Sequence, residues 1–302
     1  MANWQPYIKQ YLNFLRLERG LSENTTKSYA LDLNRLVKYL DSNQFDYSPK
    51  RITEEELRDY LYTTIDSLQA RSRARLISTL KGFFNYLVLE DIIVNSPMEL
   101  IELPKIGRKL PDTLSTSEID KLINAIELHK EGGERNRAML EMLYSCGLRV
   151  SELITLQLSD LFFDEGFIRV TGKGNKQRFV PIDDKTIGIV NLYIKYIRVH
   201  HTIPKEYQDT LFLNRRGKQL TRAMIFTIIK NLAKAIKLEK NISPHTFRHS
   251  FASHLLQNGA DLRAIQTMLG HESITTTEVY MHVDRSFLKE VIDKFHPHKN
   301  RV

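Results

Sequence analysis

Four short stretches of this sequence hold side chains suited to phosphoryl transfer. Arg149 lies in CGLRVSELITL, where one helix ends at Gly147 and another begins near Ser151. A guanidinium at such a junction stands beside helix N-terminal amides, and the two together suit an anion. Lys173 lies in TGKGNKQRFVPI, whose flanking glycines let a hairpin tip approach a ligand closely. His245 and Arg248 lie in SPHTFRHSFASHLL, with Ser243 as N-cap and Pro244 in the first turn. Their i,i+3 spacing puts both on one helix face near its positive end. His271 follows Leu-Gly in MLGHESITTTEVYMHV, and Tyr280 lies further along the same stretch.

Taken singly, each has a plainer reading. Arg149 reads as a surface arginine, Lys173 as a turn lysine, and Tyr280 is one of 13 tyrosines. Taken together, they are the parts that a tyrosine needs to attack a phosphodiester. Two guanidiniums neutralise the pentavalent phosphorus through planar, forked hydrogen bonds. Preorganised donors of this kind supply a large share of catalysis. A phenol, with a pKa of about 10, must lose its proton in a cationic pocket before it attacks. The expelled sugar oxygen needs an acid, and a lysine can supply it. Such a set calls for neither metal nor nucleotide. A rival reading makes His245 and His249, at i,i+4, metal ligands; the absence of an HExxH pattern and of a cysteine pair, and the adjacent arginine, disfavour it. His249 and His254 read as structural.

The elements that must hold these groups follow from apolar periodicity. Helices are predicted from Tyr7 to Arg19, after Ser22, after the Thr53/Glu56 capping box, and from Arg71 to Leu89, making an all-α first unit. PKIGRKLP, Pro104 to Pro111, breaks the pattern and suits an exposed linker whose cations could also follow a phosphate backbone. Beyond it, helices are predicted at Ser115–Ile126, Arg135–Cys146, Lys185–Val199, Thr221–Ile236 and Pro244–Gln257. Phe167–Thr171 and Gln177–Ile182 read as a β-hairpin around GKGNK, with Leu211–Leu213 as a candidate third strand.

The bulk composition agrees with this division. A chain of 302 residues suits two domains, and its net charge of +8 favours an anionic partner. The single cysteine, Cys146, allows no internal disulfide. The sequence shows no signal-peptide pattern and no bilayer-length apolar run, so a cytoplasmic protein without membrane attachment is expected.

In the order Arg, Lys, His-x-x-Arg, His, Tyr, these motifs resemble those of the tyrosine recombinases, or phage-integrase-type recombinases, most of all the bacterial Xer recombinases. The likeness covers nearly the whole chain, including LSENTTKSYALDLNRL and RARLISTLKGFFNYL in the first unit. It implies a mainly α fold, a two-domain C-shaped clamp around duplex DNA. Residues 1–103 would be a helical core-binding domain and 104–112 a linker. Residues 113–302 would be a mixed α/β catalytic domain with a small antiparallel sheet. Arg149 and Arg248 would hold the non-bridging oxygens, Lys173 would be the acid, and His245 and His271 would hydrogen-bond the phosphate. Tyr280 would form a 3′-phosphotyrosyl link, without cofactor or metal, on the way to a Holliday junction in a synaptic tetramer of identical or paralogous subunits. The last segment, DRSFLKEVIDKFHPHKNRV, resembles a helix that inserts into a neighbouring subunit; packing in cis is its plainer reading. Thr25, Thr26, Lys27, Arg71, Arg73 and Arg75 match DNA-contacting segments, and solvated helix faces are the alternative. The likeness implies Xer-type chromosome dimer resolution, with a septal DNA translocase as activator. A mobile-element integrase or transposon-type recombinase, a type IB topoisomerase-like nickase, and a non-catalytic DNA-binding protein on the same fold are the other readings.

Overall fold

The computed structural model describes residues 3–65, 68–102, 112–172, 175–270 and 285–297. The chain divides into two compact units, Met1–Lys109 and Leu110–Val302, and the buried apolar residues fall into two clusters, one in each. The linker expected at Pro104 to Pro111 lies outside the described residues.

The first unit consists of helices α1 (Gln5–Leu17), α2 (Glu23–Ser42), α3 (Glu54–Ile65) and α4 (Ala70–Leu89). The starts of α2 and α3 follow from polar side chains that satisfy the free amides of a first turn. The Ser22 hydroxyl accepts from the Thr25 amide at 3.3 Å, and Glu56 reaches back to the Thr53 amide at 2.6 Å. The apolar stripes meet in an aromatic-rich core. Trp4 stacks on Phe83 with centroids 6.0 Å apart, and Tyr11 meets Phe83 edge-on at 5.6 Å. One polar tie crosses this core: Asp32 of α2, buried, receives a bidentate pair of bonds from Arg75 of α4 at 2.8 and 3.0 Å, and a third from Thr79.

The second unit contains α5 (Thr116–Asn124), α6 (Gly133–Ser145), α7 (Val150–Thr155), then a sheet of β1 (Leu161–Phe162), β2 (Phe167–Thr171) and β3 (Gln177–Pro181). Helices α8 (Asp184–Tyr196), α9 (Arg222–Ala235), α10 (Pro244–Gln257), α11 (Leu262–Leu269) and α12 (Arg285–Phe295) complete it. The sheet is antiparallel in the order β1-β2-β3, with Phe167 opposite Pro181 and Thr171 opposite Gln177. The hairpin of β2 and β3 is the one expected. The third strand is not Leu211–Leu213 but Leu161–Phe162. The Leu211–Leu213 run is wholly buried, so its apolar character reflects the core; it makes an isolated bridge, Leu213 with Gln219, and the preceding Thr210 makes another with Gln157. The real third strand is two residues long, too short to carry a period. In the single chain, α12 packs on its own unit, burying Leu288, Val291 and Ile292. Among the described residues, no helix is long and apolar enough to cross a membrane.

Candidate active site

The site forms where four segments meet: the α6–α7 junction, strand β3, the start of α10, and the end of α11. Gly147 makes the first junction. It turns the chain with φ of +57°, and a Cβ there would come within 2.5 Å of the Phe251 ring on α10. A side chain at this position would therefore force apart two helices that must touch. Beyond it Arg149 is extended, at φ −72° and ψ 149°, and caps α7. Glu152, three residues on, accepts both the Arg149 amide and its guanidinium, each at 2.8 Å.

Glu152 is the hub. It is buried, 3% exposed, yet it binds more than one cation. Arg178, on β3, gives it a bidentate pair of bonds at 2.8 and 3.0 Å, and Arg248 Nη1 stands 3.9 Å away. Burial alone would raise the Glu152 pKa; hydrogen bonds from Arg178 and its charge, then Arg149, outweigh this and hold it below the usual carboxylate value. The carboxylate is thus ionised, and one negative charge faces three guanidiniums.

A second anchor is the C-terminus of α11. The last carbonyls of a helix lack intrahelical partners and carry the negative end of its dipole. Three successive carbonyls here are each taken by a different arginine. Arg178 Nε donates to Met268 at 2.8 Å, Arg248 Nη2 donates to Leu269, and Arg149 Nη2 donates to Gly270 at 3.3 Å. Arg248 also donates to the Gly147 carbonyl at 2.8 Å. Among the described residues, neutral carbonyls and a single carboxylate leave the three arginines with a net positive charge of about two, which an anion would complete.

Among the side chains expected from sequence, Arg149 and Arg248 are brought together here. Arg149 is the more open, its side chain 34% exposed against 8% for Arg248. Burial, then the cations Arg149 and Arg178, push the Arg248 guanidinium down to about 9, so it stays charged at neutral pH. His245 is in the first turn of α10 and keeps an exposed surface. Partial desolvation, then His249, Arg248 and Arg149, lower its pKa below the ordinary 6.5, so at neutral pH its imidazole is uncharged and can accept a proton. Lys173, His271 and Tyr280 lie outside the described residues. His249 is exposed, contrary to a structural role; His254 is buried, and its Nδ1 meets the Tyr144 hydroxyl at 2.8 Å. Glu152 and Arg178 were not singled out from sequence. The Arg-x-x-Glu spacing was a signal for the first; nothing in the sequence joins Arg178 to it.

The candidate DNA contacts lie at the starts of α2 and α4. Arg71 is exposed, and Lys27 is exposed in an i,i+4 pair with Glu23. Thr25 shares a hydroxyl contact with Ser22 at 2.9 Å. Arg73 Nε donates to the Leu68 carbonyl, and Arg75 is committed to Asp32. Thr26 departs from the expectation: it is 1% exposed and its hydroxyl donates to the Glu23 carbonyl, so it packs the helix start and presents no surface.

Comparison with known proteins bears on both units. Residues 112–286 match the model of the phage integrase family, and residues 8–91 match the phage integrase N-terminal SAM-like domain. The tyrosine recombinase XerD of Staphylococcus saprophyticus is 43% identical over 292 residues, 96% of this chain and 98% of that protein. XerD of Oceanobacillus iheyensis is 43% identical over 293 residues, with the same coverage. Among solved structures, the XerH site-specific recombinase bound to its difH substrate superposes with a TM-score of 0.69, at 26% identity, over 93% of this chain and 87% of that one.

Proposed function

This chain belongs to the phage integrase family and is a site-specific tyrosine recombinase of the Xer type, and on that premise we propose how its residues perform the reaction. The substrate is duplex DNA carrying a specific site. The scissile phosphate occupies the cationic cluster, with Arg149 and Arg248 on its non-bridging oxygens. The observation that carries this reading is the convergence of these two arginines on one buried carboxylate, with positive charge to spare. His245 hydrogen-bonds the phosphate and accepts the Tyr280 proton; its depressed pKa, set by desolvation and nearby cations, supports the neutral form this needs. The Tyr280 oxygen then bonds to phosphorus and the bond to the 5′ oxygen breaks. Lys173 protonates the leaving oxygen, and His271 adds a hydrogen bond to the phosphorane. The phosphodiester energy is kept in the 3′-phosphotyrosyl bond, so attack by a 5′ hydroxyl reverses the chemistry without a nucleotide.

Residues 1–103 serve as the core-binding domain and 113–302 as the catalytic domain, and the starts of α2 and α4 follow the phosphate backbone. Four subunits, identical or paralogous, exchange strands through a Holliday junction, with α12 donated between neighbours. The biological task is chromosome dimer resolution in the cytoplasm, under a septal DNA translocase. Identity of 43% to two proteins named XerD supports this role over that of a mobile-element enzyme.

The test is covalent capture. Purified protein and its Tyr280→Phe variant are incubated with a library of nicked duplexes, with chelator, and resolved on denaturing gels. A protein–DNA band lost in the variant is expected, and its sequence gives the site. A band that persists in Tyr280→Phe removes Tyr280 as nucleophile.

A further inference from the structure

Arg178 has no assigned part in the reaction, yet it touches every anchor that Arg149 uses. Among the described residues, the Arg149 guanidinium has two partners, Glu152 Oε1 and the Gly270 carbonyl. Arg178 binds both oxygens of that same Glu152 and takes the Met268 carbonyl, two residues before Gly270. It also packs against Gly270 itself: a Cβ there would lie 3.1 Å from Arg178 Cδ and 3.4 Å from Cζ, and Gly270 is in the left-handed conformation at φ +64°. One planar fork therefore fixes the carboxylate from one side and the helix terminus from the other.

Without it, the parts would not hold their places. Glu152 would keep Arg149, and Arg248 at the longer distance of 3.9 Å, so its carboxylate could rotate. The end of α11 would lose a partner for one of its orphan carbonyls. Arg178 is itself poorly placed to be a second phosphate ligand: its side chain is 14% exposed, and three of its five N–H groups are already used on the protein.

We propose that Arg178 is a positioning residue of the recombinase site, which acts by locking Glu152 and the Met268–Gly270 turn so that Arg149 meets the scissile phosphate in one fixed pose. The inference rests on the reading of Arg149 as a phosphate ligand. Lysine does not replace it, because an ammonium is a point charge and cannot span two carboxylate oxygens and a carbonyl in one plane.

The experiment uses the full chain and nicked duplexes enriched by the wild-type protein from a randomised library. Single-turnover cleavage and duplex affinity are measured for Arg178→Met, Arg178→Lys and Arg149→Ala. Each is tested on the ordinary phosphodiester and on a duplex whose scissile phosphate is a neutral methylphosphonate. Both Arg178 variants are expected to cleave the phosphodiester about 100-fold more slowly, the scale of a misplaced group, with affinity held within about threefold. On the methylphosphonate, which has less charge to neutralise, their deficit and that of Arg149→Ala should both shrink by about tenfold or more. Shrinkage for Arg149→Ala with none for Arg178 variants overturns the positioning role and leaves the phosphate reading standing. No shrinkage for Arg149→Ala overturns that reading, and the proposal with it. Full activity of Arg178→Lys, which keeps the charge beside Glu152 and so guards against simple unfolding, also overturns the proposal.

Discussion

Glu152 holds one buried negative charge among three cations, and that arrangement is costly to disturb. Removing one partner of a buried ion pair leaves uncompensated charge, a loss of about 3–5 kcal/mol. Glu152→Gln should accordingly lower the stability of the second unit by about 3 kcal/mol at pH 7 in urea unfolding. The pH dependence has a definite sign. The Glu152 pKa is lower in the folded chain than in the unfolded one, despite burial, because Arg178 and Arg149 bind the ionised form. Its contribution is therefore complete above the unfolded value, about 4.3, and is lost as pH falls through the folded value. The gap between wild type and Glu152→Gln should be widest near neutrality and close in acid; a gap that widens in acid would contradict the assignment. At this scale the sequence was a partial guide. Arg149, His245 and Arg248 stood out because phosphoryl transfer calls for those types in those motifs, and the fold gathers Arg149 and Arg248 around Glu152. Arg178 was not, because its partner lies on another element and only the folded chain brings strand β3 to the mouth of α7. Thr26 shows the converse: its type and neighbourhood suited DNA, and its burial does not.

Helices carried the clearest signals where a capping side chain marks the start. Ser22, Ser115 and Thr221 cap α2, α5 and α9, and their hydroxyls accept from Thr25, Glu118 and Met224 amides. The α10 start at Pro244 falls where the sequence put it, since Ser243 leads in and proline suits a first turn. Tertiary ties between helices were invisible by comparison. The Arg75–Asp32 pair couples α2 to α4 beside the candidate DNA contacts, so Arg75 has a structural duty that Arg71 lacks. Arg75→Ala strands a buried carboxylate and should cost the first unit about 3 kcal/mol. Arg71→Ala, at an exposed position, should leave stability within about 0.5 kcal/mol and lower the slope of log affinity against log salt by about one. Calorimetry beside salt-dependent duplex binding separates the two. Equal loss of stability in both variants would refute the distinction.

At the scale of the whole chain, two separate cores imply two cooperative units, and the last helix belongs to the second. Helix α12 buries Leu288, Val291 and Ile292 there, and His296, just beyond it, lies 4.8 Å from the Tyr144 ring. Its register was legible from the spacing of apolar residues, but not the surface it covers, because an amphipathic stripe fits its own unit and an identical neighbour alike. If subunits donate α12 to one another, each leaves the seat that it occupies in the single chain. In a cyclic exchange every vacated seat is refilled by a like helix, so the apolar area buried is nearly conserved and the net change in free energy is small. The cost then appears only where the helix has nowhere to go. A chain ending at residue 284 should lose roughly 5 kcal/mol from the second unit, the low end for three buried aliphatic side chains at about 1.5–3 kcal/mol each, since the unfolded chain already buries part of that surface. In scanning calorimetry that truncation should lower the same transition that Glu152→Gln lowers and leave unmoved the one that Arg75→Ala lowers. If the truncated chain melts like the full one, α12 does not hold its cis seat in solution, and exchange would then proceed from a helix already free.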